Sequence, residues 1–216
     1  MAGCCTQTEY RRLFNRKTAA KDARRYRTHG LTGTARSLTD LAGDVTGTSV
    51  LDVGGGVGAI ELELLGAGAD RATSVEISGA YEDEAKKLLG ERGLSERVER
   101  RVGDFVADGA EIEPHDVVVL HRVVCCYPDV DALVGEAAAH ARKVLLLTYP
   151  RERFLIRAGV RVVNAFLRVS RCGFRTYAHP IRSIDGAAAR NGLALRTRRR
   201  EGFLWESAAF ARGQEG

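Results

Sequence analysis

The stretch Val50-Leu-Asp-Val-Gly-Gly-Gly-Val-Gly-Ala-Ile-Glu-Leu-Glu-Leu-Leu65 decides how the rest of the chain is read. Val50 to Val53 have strand character. Past the glycines, Val57, Ile60, Leu64 and Leu65 fall at helical spacing. A strand that turns through glycine into a helix leaves backbone N–H groups pointing outward at the helix start. The side chains there are small enough for a ligand to press against the backbone. A plain turn does not need Gly54, Gly55, Gly56 and Gly58 together, so this corner reads as a cofactor seat.

Two glycine patterns fit it. Gly54, Gly56 and Ala59 satisfy G-x-G-x-x-G/A, the dinucleotide fingerprint. Asp52, Gly54, Gly56 and Gly58 also satisfy acidic-x-G-x-G-x-G, which resembles the first motif of class I S-adenosylmethionine (SAM) methyltransferases. Asp52 weighs for the second pattern. Its carboxylate would face a pyrophosphate with like charge, but is welcome beside a zwitterionic sulfonium ligand.

With 216 residues, 44% hydrophobic and 28% charged, the chain suits one α/β domain with added helices. No apolar run approaches a membrane span. Met-Ala-Gly-Cys-Cys-Thr-Gln-Thr has no basic start followed by an apolar core, so a cytoplasmic protein is expected. The net charge of +5 is unevenly spread. Arg11, Arg12, Arg16, Lys17, Lys21, Arg24, Arg25, Arg27 and Arg36 are opposed within their span only by Asp22. Such a run suits RNA, anionic lipid or an acidic small molecule, but a solvated helix face explains it as well. Tyr10, Phe14 and Tyr26 read as the buried side of those helices rather than a base-stacking platform, which points away from nucleic acid. Cys4-Cys5 and Cys125-Cys126 lack C-x-x-C spacing; with Cys172 they read as reduced thiols rather than zinc ligands.

Taken in order, Thr8 to about Gly43 form a helical preface broken at His29-Gly30. The second strand, Ala72 to Ile77, carries Glu76 about twenty residues past the glycine turn, where a nucleotide fold places its ribose-binding acid. A helix over Tyr81–Leu89 leads to a third strand, Arg97–Val102, and then Gly103-Asp104-Phe105. His115–His121 is an apolar run of central-strand type. A helix over Val130–Arg142, a fifth strand over Lys143–Thr148 and a capped helix from Ser183 to Asn191 follow. Leu193–Arg199 and Phe203–Phe210 make a hairpin split at Glu201-Gly202.

From Thr48 to Arg212 this layout resembles the class I SAM-dependent methyltransferases: a mostly parallel Rossmann-like α/β sheet with a C-terminal antiparallel hairpin. More narrowly it is similar to bacterial sequences grouped with magnesium-protoporphyrin O-methyltransferases, which is not a substrate assignment. The loop Leu120-His-Arg-Val-Val-Cys-Cys-Tyr-Pro-Asp129 is similar to the Leu-His-His-Leu-Pro-Asp loop of many members. The resemblance implies a helical cap over 1–43, a SAM-binding domain over 44–216 and a helical lid insert over 151–180. It implies that Asp52, Gly54, Gly56, Gly58, Glu76, Asp104, Phe105 and His121 hold SAM, with Asp104 taking the adenine amino group and Phe105 covering the ring. His121 is the candidate base, Arg122 the candidate holder of a substrate carboxylate, and Tyr149 a pocket wall; a structural histidine and an internal salt bridge remain the plainer readings of the first two. Where magnesium-dependent O-methyltransferases carry Glu, Glu and His, this loop has Arg122, Cys125 and Cys126, a poor set for Mg²⁺. The expected reaction is therefore in-line methyl transfer to O, N or S of a small molecule, without catalytic magnesium, releasing S-adenosylhomocysteine (SAH).

In the insert, Phe154, Leu155, Ala158, Val162, Ala165, Phe166 and Val169 repeat at helical spacing with arginines alongside. Arginine in both the cap and the insert suggests an acceptor with an anionic group and an apolar body. A membrane-surface helix, or a homodimer through the lid, competes with that reading. An NAD-linked oxidoreductase and a SAM-fold binding protein without turnover also stay open.

Overall fold

The computed structural model describes residues 10 and 13–213. Cys4, Cys5, Arg11 and Arg12 lie outside the described residues.

The strands are β1 (Ser49–Val53), β2 (Arg71–Glu76), β3 (Val98–Val102), β4 (His115–His121), β5 (Ala141–Pro150), β6 (Leu193–Glu201) and β7 (Trp205–Arg212). They form one sheet in the order β3-β2-β1-β4-β5-β7-β6. The first five are parallel, β7 runs antiparallel to β5, and β6 antiparallel to β7. The sheet is therefore the mostly parallel class I methyltransferase sheet with its antiparallel hairpin.

The helices are α1 (Arg16–His29), α2 (Thr34–Ala42), α3 (Ala59–Gly66), α4 (Glu82–Arg92), the single turn α5 (Phe105–Asp108), α6 (Val130–His140), α7 (Phe154–Val169) and α8 (Ile181–Arg190). Strand side chains alternate between faces. Val50, Val117, Val119, Val144 and Leu146 meet Ala19, Tyr26, Leu38, Leu62 and Leu88 of the first four helices. Leu51, Val118, Leu120, Leu145 and Leu147 meet Leu133, Val134, Ala137, Ile184 and Ala187 of α6 and α8. Burial on both faces makes the central strands near-continuous hydrophobic runs. Each of the three leucines Leu145–Leu147, completely buried, contributes roughly 1.5–3 kcal/mol.

Local chemistry sets the boundaries. Asn15 caps α1 by accepting from Lys17 N and Thr18 N at 3.0 and 3.2 Å, and Gly30, at φ +62°, ends it. The helix expected to reach Arg142 stops at His140. That ring bonds Glu136 O at 2.8 Å with Nδ1, and Gly109 O and Ile112 O at 3.0 Å each with Nε2, which pins the helix end to a neighbouring turn. Strand β5 accordingly starts at Ala141, earlier than expected. In the hairpin, β7 begins at Trp205 rather than Phe203, because Gly202–Leu204 form the turn. No helix among the described residues is long and apolar enough to cross a membrane.

Candidate active site

At the carboxyl ends of β1, β2 and β4, beneath α1 and α2, lies a cavity of ≈ 410 Å³. Open α/β sheets bind ligands at such a place, where the strand order reverses; here β1 lies between β2 and β4. Asp52, Gly54, Gly56, Glu76, His121 and Arg122 all line it. Asp104 and Phe105 line a smaller adjoining cavity of ≈ 60 Å³, which shares Tyr10, Gly54, Ile77, Val123 and Cys126 with the first. Two expected residues lie elsewhere. Gly58 is the N-cap of α3, beneath the turn. Tyr149, expected as a pocket wall, lines neither of these cavities: β5 turns its ring into the core under α6 and α8, and its hydroxyl accepts from Arg198 Nε at 2.7 Å.

The glycine corner is shaped by contact. Gly54 has φ +67°, and a Cβ there would sit 2.6 Å from Val123 Cγ2. A Cβ on Gly55 would collide with the Asp52 carboxylate. Asp52 is fully buried at the end of β1; no side chain bonds either of its oxygens, and the donor closest to doing so is the Glu61 backbone N–H. Burial, and then the negative charge of Glu61, push its pKa well above the ordinary carboxylate range. Such a carboxylate is costly unless a cation meets it. Glu76 closes β2 and accepts from Gly56 N at 3.0 Å and Ser78 N at 2.9 Å. Its pKa is raised by burial, against the lowering effect of those two bonds.

Arg100, which the sequence reading did not single out, supports the corner from β3. Its guanidinium donates to Gly56 O at 3.0 Å, Ser74 Oγ at 3.1 Å, Glu61 Oε1 at 3.1 Å and Glu82 Oε1 at 3.0 Å. Glu61 is itself fully buried, and desolvation outweighs Arg100 to raise its pKa to about 6. No motif marks this arginine; it faces inward only because the strand alternates.

His121 ends β4. Its Nε2 lies 2.9 Å from Thr34 Oγ1 on α2. Burial, and then the Arg122 charge, bring its pKa down to about 4, so the ring is neutral at physiological pH. Arg122 holds a left-handed φ of +59°, and its Cζ rests 4.8 Å from the centre of the Trp205 ring. It makes no ion pair among the described residues. Burial, and then Arg25, lower its pKa. Asp22 and Arg25 of α1 also line the cavity, residues of the run that the sequence left open between a ligand-facing and a solvated face and did not single out. Asp22 as the lone acid in the run was the available signal. Cys125 and Cys126 are thiols with sulfurs 3.7 Å apart. Among the described residues no group of three His, Cys, Asp or Glu could hold a metal ion.

The fold is that of the class I methyltransferases. Residues 51–144, less than half of the chain, match the family model described as a methyltransferase domain. No curated protein matches the chain by sequence. Among solved structures it is similar to the magnesium protoporphyrin IX methyltransferase of Synechocystis PCC 6803 with bound SAH. The identity is 19%, over 96% of this chain and 100% of that one, at a TM-score of 0.73. An O-methyltransferase family protein from Burkholderia thailandensis is 18% identical over 93% of this chain and 60% of that one, TM-score 0.72. A riboflavin-derivative dimethyltransferase from Streptomyces davawensis is 21% identical over 83% and 55%, TM-score 0.58. At such identities the likeness is one of fold.

Proposed function

We propose that this protein transfers a methyl group from SAM to a small molecule that carries an anionic group, without catalytic magnesium. The observation that carries the reading is Asp52: a buried carboxyl with no side-chain hydrogen bond beneath a glycine corner, in the same cavity wall as Glu76. Burial holds this carboxyl towards its neutral form; a ligand bearing an ammonium and a sulfonium nearby favours its ionisation, whereas a pyrophosphate disfavours it further. This argues for SAM over NAD.

SAM, when bound, supplies an electrophilic methyl on a sulfonium that leaves as a neutral thioether. Glu76 offers a carboxylate for ribose hydroxyls, and Asp104 and Phe105 a small cavity for adenine. His121 is neutral, and in the tautomer whose Nε2–H donates to Thr34 Oγ1 it keeps Nδ1 as the nitrogen that takes a proton from an oxygen or nitrogen nucleophile. Arg122, which has no acid partner among the described residues, supports the choice of an anionic acceptor, and Arg25 adds to the local charge. Alignment and exclusion of water do the rest, so no covalent enzyme intermediate is needed.

Calorimetry with SAH and with NAD⁺ tests the cofactor. SAH is expected to bind and NAD⁺ not to, and Glu76→Ala is expected to weaken SAH by about tenfold or more without lowering the melting temperature. Preference for NAD⁺, or indifference of SAH binding to Glu76→Ala, overturns the reading. Production of SAH from SAM with carboxylate- or phosphate-bearing acceptors, and not with their neutral esters, tests the acceptor class.

A further inference from the structure

Helix α7 has its apolar face turned outward. Phe154, Leu155, Val162, Phe166 and Val169 are all exposed, Phe166 to 70% and Val169 to 83%. At about 100° per residue these side chains, with Ala158 and Ala165, span an arc of about 120°, a third of the helix circumference. Ile156, the one fully buried residue of the helix, lies on the opposite side, next to the half-buried Val160, Asn164 and Leu167. Arg157, Arg161 and Arg168 form a stripe between the two faces. None of the three makes an ion pair among the described residues. Neither cavity is lined by any residue of α7.

The patch continues onto a second element. In the hairpin turn Phe203 and Leu204 are also exposed. They adjoin the start of α7: Arg151 N donates to Leu204 O at 2.8 Å, and Arg153 Cζ lies 5.0 Å from the Phe203 ring centre. A helix face and a loop tip thus present aromatic and aliphatic side chains side by side, rimmed by arginine. Such a surface is far more than the scattered apolar residues of an ordinary exterior.

We infer that α7 and the hairpin turn form a docking surface for an anionic lipid bilayer. Charge decides among occupants. From Arg153 to Ile184 the chain has seven arginines and no Asp or Glu. A second copy seated on the α7 face would bring arginine stripes together, with carboxylates only at its margin, Glu152 before the helix and Glu201 before the turn. Anionic headgroups neutralise the stripe while phenylalanine and leucine enter the acyl boundary, the arrangement of an interfacial amphipathic helix. The chain leaving α7 packs through Cys172 and Phe174 against Tyr10, a residue lining both cavities. The segment leaving the docked helix thus reaches a residue of the site. This inference does not depend on the identity of the cofactor.

Sedimentation of the full chain with phosphatidylcholine vesicles, with and without a third of phosphatidylglycerol, tests it. Binding is expected only, or at least about tenfold more tightly, with the anionic vesicles. The double variant Phe154→Ser/Phe166→Ser, altered only at exposed positions, is expected to lose at least about tenfold in binding. Arg157→Gln/Arg161→Gln/Arg168→Gln is expected to lose the preference for phosphatidylglycerol. Three outcomes overturn the inference. One is no binding to anionic vesicles. Another is binding that both variants leave intact, which would put it on the basic run of α1. The last is a dimer, seen by light scattering, that the phenylalanine variant dissociates.

Discussion

At the scale of single residues, the neutrality of His121 has a measurable result. Its folded pKa of about 4 lies below the ordinary histidine value of 6.5, so the ring stays unprotonated through the neutral range. If Nδ1 is the base, the methyl-transfer rate is level from about pH 8 to about pH 5 and falls only as the ring protonates near its folded pKa. A rate already halved near the ordinary histidine pKa would remove His121 from that role. Stability has the same sign. The unfolded chain takes up the proton first, so what the neutral ring contributes above about pH 6.5 is lost as pH falls towards about 4. His121→Gln is expected to lower the rate by about a hundredfold or more for an oxygen acceptor, with SAH affinity little changed. These residue positions differ in how visible they were. Glu76 and Asp104 sit at spacings from the glycine turn that chain order alone supplies. Arg25 comes to the cavity through the packing angle of α1, which no local pattern encodes, whereas Asp22 is marked only as the lone acid of its run. Tyr149 illustrates the converse: a strand end is readable, but which face its last side chain takes depends on register, and one residue reverses it.

At the scale of elements, the glycine corner rests on its neighbours. Strand β3 is short and polar, yet through Arg100 it ties the corner to α3 and α4 at once. Arg100→Met leaves Glu61 buried and uncompensated. Urea unfolding is expected to register a loss of about 3–5 kcal/mol, with much of it recovered in Arg100→Met/Glu61→Gln. A loss that the second substitution does not relieve would mean that packing, not charge, is what Arg100 provides. The elements themselves were readable where burial is uniform. Strand β4 runs from His115 to His121 as its apolar run announces. Boundaries moved where a side chain acts at a distance, as His140 does in ending α6. The hairpin turn moved too, because Phe203 and Leu204 look like strand residues while the solvent they face is invisible in the sequence.

At the scale of the whole molecule, the cavity is a joint between two layers. Its floor is the ends of β1, β2 and β4, and its cover includes Asp22, Arg25, Tyr26, Leu31 and Ala35 from α1, α2 and the link between them. A ligand that touches both layers stabilises their contact by mass action. Saturating SAH is accordingly expected to slow amide hydrogen exchange in α1 and α2 by about tenfold or more, while the buried core of β5 changes little. Equal protection of the outer strand β6 would indicate a general stiffening, not a joint being closed.

The two outer strands of the sheet bring a last consequence. Strand β3 carries Glu99 and Arg101, and β6 carries Arg196, Arg198, Arg199 and Arg200. Along β6 the unpaired backbone rim is bordered by cationic side chains that repel their own kind, so a neighbouring molecule cannot extend the ladder there without crowding arginine against arginine. The exposed guanidinium groups of Arg199 and Arg200 thus act against edge-to-edge association at this margin. Neutral residues in their place would leave that border open to pairing with a second molecule.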